Sequence, residues 1–225
     1  MGMEHPLNIF SFLPHEIQAK YLHVFMTFIV VLITLFLGSI ASKMRNEVPT
    51  KGQSLFELLT GAVYKMGVDI MGEDGRPFIP FIFAIGIYVL FSNLLGLIPG
   101  LTSPTANLNS TVAPALIVFF TYQFIGIKRH GFGYIKHFMG PVLWLAPLMI
   151  IIELIGHISR PLSLSMRLFG NIFGEDLVIM ILFILVPFLV PLPMYFMAVF
   201  TSILQAYVFM MLSMIYIGGA LEEAH

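Results

Sequence analysis

Residues 143–186 read LWLAPLMIIIELIGHISRPLSLSMRLFGNIFGEDLVIMILFILV, and the fold turns on how that stretch meets a membrane. Both of its ends are apolar enough for hydrocarbon, yet the middle carries Glu153, His157, Arg160, Arg167, Glu175 and Asp176. A continuous helix over it would be roughly 65 Å long at ~1.5 Å per residue, about twice the ~30 Å hydrocarbon core. It crosses once at a steep tilt, or it breaks near Gly156 or Pro161 and crosses twice. A single crossing is the better reading, because a break would strand six ionisable groups in a loop at membrane depth.

Composition places the rest of the chain in a bilayer as well. Of 225 residues, 58% are hydrophobic and only 10% charged, with a mean hydropathy of +0.94. A soluble domain carries roughly 25% charged residues, so this surface does not face water everywhere. A net charge of -1 argues against a nucleic-acid partner, which calls for a basic stripe. The absence of cysteine excludes disulfides and thiolate metal sites. Phosphate-binding loops, nucleophile elbows and cofactor motifs are also absent, so neither a catalytic residue nor a cofactor is expected.

The first uncharged run, 22–41, has His23 near its start and is longer than the ~7–15 apolar residues of a signal peptide. Glu4 and Glu16 outnumber Lys20 ahead of it, so it reads as a retained span. No charge occurs between Arg76 and Lys128, and that stretch divides at Pro99-Gly100 and a polar tract holding Ser103, Pro104, Asn107 and Asn109. Spans are expected at 78–98 and 112–127, joined by an uncharged loop. Pro187, Pro191 and Pro193 mark a turn before a last span at 194–217, which ends at Gly218-Gly219 ahead of Glu222, Glu223 and His225. The expectation is an all-α polytopic membrane protein with five spans, the fourth long and tilted, in one integral membrane domain over 1–225.

Eight of the eleven basic residues fall in two loops, Lys43, Arg45, Lys51, Lys65 and Arg76, then Lys128, Arg129 and Lys136. The positive-inside rule puts both in the cytoplasm, which leaves the N-terminus outside and the C-terminus inside. In the first of these loops, Leu55, Leu59, Val63, Met66 and Ile70 share a helical face that Glu57, Lys65 and Asp69 avoid. That pattern predicts an amphipathic helix at 53–71 lying on the cytoplasmic membrane surface. No internal repeat is visible, which disfavours a transporter built from inverted repeats.

An arginine at the bilayer centre costs ~2.5–3.5 kcal/mol on insertion scales unless its stem carries the charge back to the interface. Arg160, beside Pro161, reads either way. Arg167 reads as a site, because Ser163, Arg167 and Asn171 are spaced i, i+4, i+8 and stack on one side of a helix. Glu153 and His157 form a second i, i+4 pair, and Asp176 lies ~13 Å beyond Arg167 along the axis. The last span carries its own polar line of Ser202, Gln205, Ser213 and Tyr216. Alone, Gln205 would be interhelical glue; facing the Arg167 side of a neighbouring helix, it reads as part of a shared site.

The stretch from Ser163 to Asp176, SLSMRLFGNIFGED, closely resembles the signature of subunit a of F-type ATP synthases. Glu153, the segment LQAYVFM at 204–210 and NLLGLIP at 93–99 extend the likeness in order along nearly the whole chain. The resemblance implies a non-catalytic stator subunit in a bacterial plasma (inner) membrane. There it would couple proton flow to rotation of a proteolipid ring (subunit c), and so to ATP synthesis. A peripheral stalk (subunit b), the remaining synthase subunits and membrane lipid would be its other partners, with nucleotide chemistry on those subunits. By position, Arg167 matches the family's essential arginine and Gln205 the amide facing it. Glu153, Asn171 and Asp176 match the outside half-channel, where His157 would help to hold water and relay protons, and Ser163 matches the inside path. One departure is Ala198, where some members place a titratable partner for the position of Asp176; Glu175 or His157 would have to compensate. Two readings from other classes compete. A transporter would need its own substrate pocket, and a haem anchor would use His23 and His157 as ligands.

Overall fold

An apolar chain in lipid can satisfy its backbone only by coiling on itself or closing a barrel. The computed structural model takes the first course. It describes residues 15–43, 51–98, 100–131, 146–185 and 191–221, and among these no strand occurs. The helices are α1 (His15–Lys43), α2 (Lys51–Met71), α3 (Ile79–Leu95), α4 (Leu108–His130), α5 (Ala146–Leu185) and α6 (Pro191–Leu221), with short 3-10 turns at Glu73–Phe78 and Pro104–Ala106. All but α2 are long and apolar enough to cross a membrane, the stretch before α3 included, which makes five candidate spans.

The stretch that decides the fold is a single helix. α5 runs unbroken through Gly156 and Pro161 for 40 residues, about 60 Å at ~1.5 Å per residue. Pro161 removes one backbone donor and crowds the carbonyl of His157, yet packing against α4 and α6 on both sides of it holds the helix together. Helix ends elsewhere depart from the sequence pattern for local reasons. α4 starts at Leu108 because the Asn107 side chain accepts from the Asn109 N–H at 3.0 Å and caps the helix. α6 begins at Pro191, since prolines are tolerated in a first turn. It continues past Gly218, whose missing side chain lets the Ile70 carbonyl and Met71 approach. Gly72 and Gly131 end α2 and α4 with φ of 71° and 53°, a region that favours glycine. The expected turn at Pro187, the basic residues Arg45 and Lys136, Pro99 and the acidic tail with His225 lie outside the described residues.

Contacts fix the relative directions of the helices. The Arg129 guanidinium pairs with Asp74, so the end of α4 meets the turn before α3. Met71, Ile79, Ile125, Ile217 and Leu221 share one apolar cluster, which brings the ends of α2 and α6 to the same place. This is the basic end of the bundle. Residues 96–98 and 100–107 form the opposite, polar-loop end, where the 104–106 turn packs against α1, α3, α4 and α5. The expected surface helix is divided in use. Leu55, Leu58 and Leu59 of α2 are exposed, whereas Val63, Met66 and Ile70 pack on the cluster at the end of α6.

Candidate functional site

Buried polar groups must find partners or water, and here they gather in two clusters separated by an apolar layer. Toward the basic end, His157 of α5 is 5% exposed. Its Nδ1 lies 3.2 Å from the Tyr122 hydroxyl and 3.3 Å from Gln123 Nε2, both on α4. Its Nε2 lies 3.3 Å from Glu153 Oε1 one turn back. The Arg160 guanidinium sits 5.8 Å from the Tyr122 ring centre and 5.4 Å from that of Tyr216 on α6, inside the ~6 Å range of a cation–π contact. Arg160 is therefore clamped between two rings instead of snorkelling.

Toward the polar-loop end, the Thr105 hydroxyl donates to Asn93 Oδ1 at 2.7 Å and the Ser103 hydroxyl donates to the Ser92 carbonyl at 2.9 Å. The two hydroxyls are 2.6 Å apart. Asn171 Nδ2 on α5 donates to Gln205 Oε1 on α6 at 2.8 Å, which joins the two polar lines read from the sequence. Four buried atoms on this side, Ser92 Oγ, Asn93 Nδ2, Ser202 Oγ and Gln205 Nε2, have no hydrogen-bond partner among the described residues. Glu175 faces Thr201 of α6 and Asp176 stands beside it.

Between the clusters, Leu164 and Leu168 of α5 pack with Val89, Ala115, Val118, Ala206 and Phe209 in a mainly apolar layer, with Tyr88 and Tyr216 against it and the buried Ser165 hydroxyl spent on the Leu162 carbonyl. Leu168 and Phe209 are fully buried in it. Along one edge of the packed face of α5, Ser163, Arg167 and Asn171 are exposed, Asn171 still reaching Gln205, and Arg167 makes no ion pair or hydrogen bond among the described residues. Gly156, Gly170 and Gly174 open the same outward region, with nothing within 4 Å of where a Cβ would stand.

This geometry revises two expected groupings. Glu153 and Asp176 were assigned to one outside path, but an unbroken helix from 153 to 176 spans about 35 Å, so they stand at opposite ends with the apolar layer between. His157 likewise lies about 28 Å along the helix from Asp176 and does not replace a partner missing at the buried Ala198. Glu175 is the acid at hand there. Tyr122 and Gln123 escaped notice in the sequence, although Gln123 is the one amide within 112–127 and that signal was available. Ser103 and Thr105 passed as ordinary loop residues.

Comparison with known proteins adds an independent line. Residues 24–218 match the family described as ATP synthase A chain. The chain is 50% identical over 229 residues to "ATP synthase subunit a" of Geobacter sulfurreducens, covering 99% of this chain and 100% of that protein. It is 51% identical over 231 residues to the protein of the same name from Trichlorobacter lovleyi, again covering 99% and 100%. Against the protein of that name from Geotalea uraniireducens it is 54% identical over 199 residues, covering 88% and 87%.

Proposed function

Since the chain belongs to the ATP synthase A chain family, we propose that it is the membrane-embedded stator subunit along which protons cross to turn a proteolipid ring. The observation that carries this reading is Arg167, a permanent charge exposed along one edge of the packed face of a membrane helix. A guanidinium facing hydrocarbon costs ~2.5–3.5 kcal/mol or more, whereas one facing a ring carboxylate gains a partner. At ~4 Å and an effective dielectric near 20, that attraction is about 4 kcal/mol. It is strong enough to favour the ionised carboxyl and weak enough for the ring to move on. The open glycines at 156, 170 and 174 would let a partner helix approach closely.

The two polar clusters then serve as the two half-paths. Asp176, Glu175 and Asn93 line the outer one, where water satisfies the orphaned amide and hydroxyl atoms of Asn93, Ser202 and Gln205. Asn171 and Gln205 form its inner limit beside Arg167. Glu153 and His157 line the inner one, with Ser163 on the approach to Arg167. The apolar layer between them keeps protons from bypassing the ring.

The direct test is co-purification. Mild-detergent isolation of the tagged chain should bring down a small two-helix proteolipid with a mid-membrane acid, together with stalk subunits. Recovery of the chain as a stable complex without such a proteolipid would sink the proposal.

Sidedness has its own test, which the lack of native cysteine makes clean. With the basic end in the cytoplasm and the N-terminus outside, single cysteines at Asn107 and Asp176 should react with impermeant reagents from outside. Cysteines at Gly131 and Glu153 should react from the cytoplasm. Labelling of Asp176 and Glu153 positions from the same side would refute the two-path arrangement.

A further inference from the structure

His157 is held in a way that a merely structural histidine does not require. A carboxylate can only accept, so the Nε2 facing Glu153 carries hydrogen, and in the neutral ring Nδ1 is then the acceptor. Its single lone pair takes one donor at a time, the Tyr122 hydroxyl at 3.2 Å or the Gln123 amide at 3.3 Å. Should Nδ1 take up a proton, the Tyr122 hydroxyl can rotate to accept and the Gln123 side chain can turn its carbonyl inward. Both charge states therefore keep their partners without backbone movement. Tyr122 is fixed for this task. It is 1% exposed, its ring stacks on His157 at 5.8 Å and 24°, and Arg160 and Phe119 cover it further.

The pair also has direction. The Glu153 side chain is 35% exposed and that of His157 only 7%, so one carboxylate links the open surface to a site buried against the apolar layer. Among the described residues, the charged and titratable groups facing His157 are Glu153 and Arg160 on α5, Tyr122 on α4 and, across Arg160, Tyr216 on α6.

We infer that His157 is the proton-relay group of the inner path and that Tyr122 is its positioning residue, an assignment that rests on the two-path reading above. In one passage, Nδ1 takes a proton arriving from the Arg167 side and the ring becomes an imidazolium. It turns about its Cβ–Cγ bond and gives that same Nδ1 proton to the Glu153 carboxylate, which releases it to water. One proton enters and one leaves, and the ring turns back as the Nε2–H tautomer it started from. Transport in the reverse direction uses the same steps backwards.

The test uses membrane vesicles containing the whole complex, with ATP-driven acidification normalised to assembled complex. His157→Gln keeps a hydrogen-bonding amide and loses titration. It should slow pumping on the order of tenfold, below the ~10²–10⁴ of a positioned proton-transfer group because water offers a bypass. It should also flatten the dependence of the rate on pH, because an amide does not titrate. Tyr122→Phe keeps the ring that stacks on His157 and carries Arg160, but loses the hydroxyl. It should slow pumping less and displace the pH profile. A normal rate and profile for His157→Gln overturns the relay. Should that variant fail to assemble, an unchanged profile for Tyr122→Phe overturns it instead. Arg167→Ala measured alongside separates the two levels. If it is inactive while His157→Gln is normal, only the relay falls; if it pumps normally, the reading beneath it falls.

Discussion

Replacing Arg167 with alanine should abolish ATP-driven acidification of membrane vesicles while the complex still assembles. Its side chain is exposed and supports none of the packing among the described helices, so stability has little to lose. The ring carboxyl, by contrast, loses its fixed counter-charge. Arg167→Lys should fail nearly as badly, because a buried lysine can shed its proton where guanidinium stays charged, and its point charge lacks the planar fork. Arg160→Ala is the internal comparison, with only partial loss expected, since that guanidinium is spent on two ring faces. A snorkelling Arg167 would give the reverse result, in which alanine relieves an insertion cost and pumping is normal or improved. Near-normal acidification by Arg167→Ala would remove this residue from the mechanism.

The second large effect concerns the apolar layer. Leu168 is fully buried in the layer between the two polar clusters, so Leu168→Asn places an amide inside that layer. A buried amide without partners costs ~1–3 kcal/mol, and water entering to satisfy it would bridge the clusters. Proton gradients across vesicles holding this variant should collapse at least several-fold faster without ATP turnover, and pumping should be uncoupled from hydrolysis. Leu168→Val, which changes volume and leaves the layer dry, should stay tight. A Leu168→Asn variant as tight as the parent would show that the seal lies elsewhere.

Much of this was legible in the residues themselves. Long uncharged runs announced four of the five candidate spans, the length of the charged 143–186 stretch announced the other, and the i, i+4 spacing of Ser163, Arg167 and Asn171 identified residues that are exposed together. Spacing along one helix, however, does not say on which side of a seal a residue stands. Glu153 and Asp176 share one expected helix, and only the packing of Leu164 and Leu168 against α3, α4 and α6 places a layer between them. Tyr122 and Gln123 acquire meaning only when α4 is laid against α5, a tertiary relation that periodicity does not encode. The exposed half of α2 followed its hydrophobic pattern. The docked half followed a partner surface at the end of α6 that no local pattern announces.

The apolar layer has an electrical consequence. If water reaches inward from both sides to the two polar clusters, the hydrocarbon around this protein is shunted, and only the layer between Arg160 and Asn171 remains as dielectric. Eleven residues of helix make that gap about 16 Å, against ~30 Å for the bare bilayer core. The same membrane voltage then falls across roughly half the thickness, and the local field nearly doubles. Each elementary charge carried through it is worth about 2.3 kcal/mol per 100 mV, delivered within the slab where Arg167 stands. The protein behaves as a capacitor thinned at one spot, and that spot is where a charge on a moving partner would have to pass sideways.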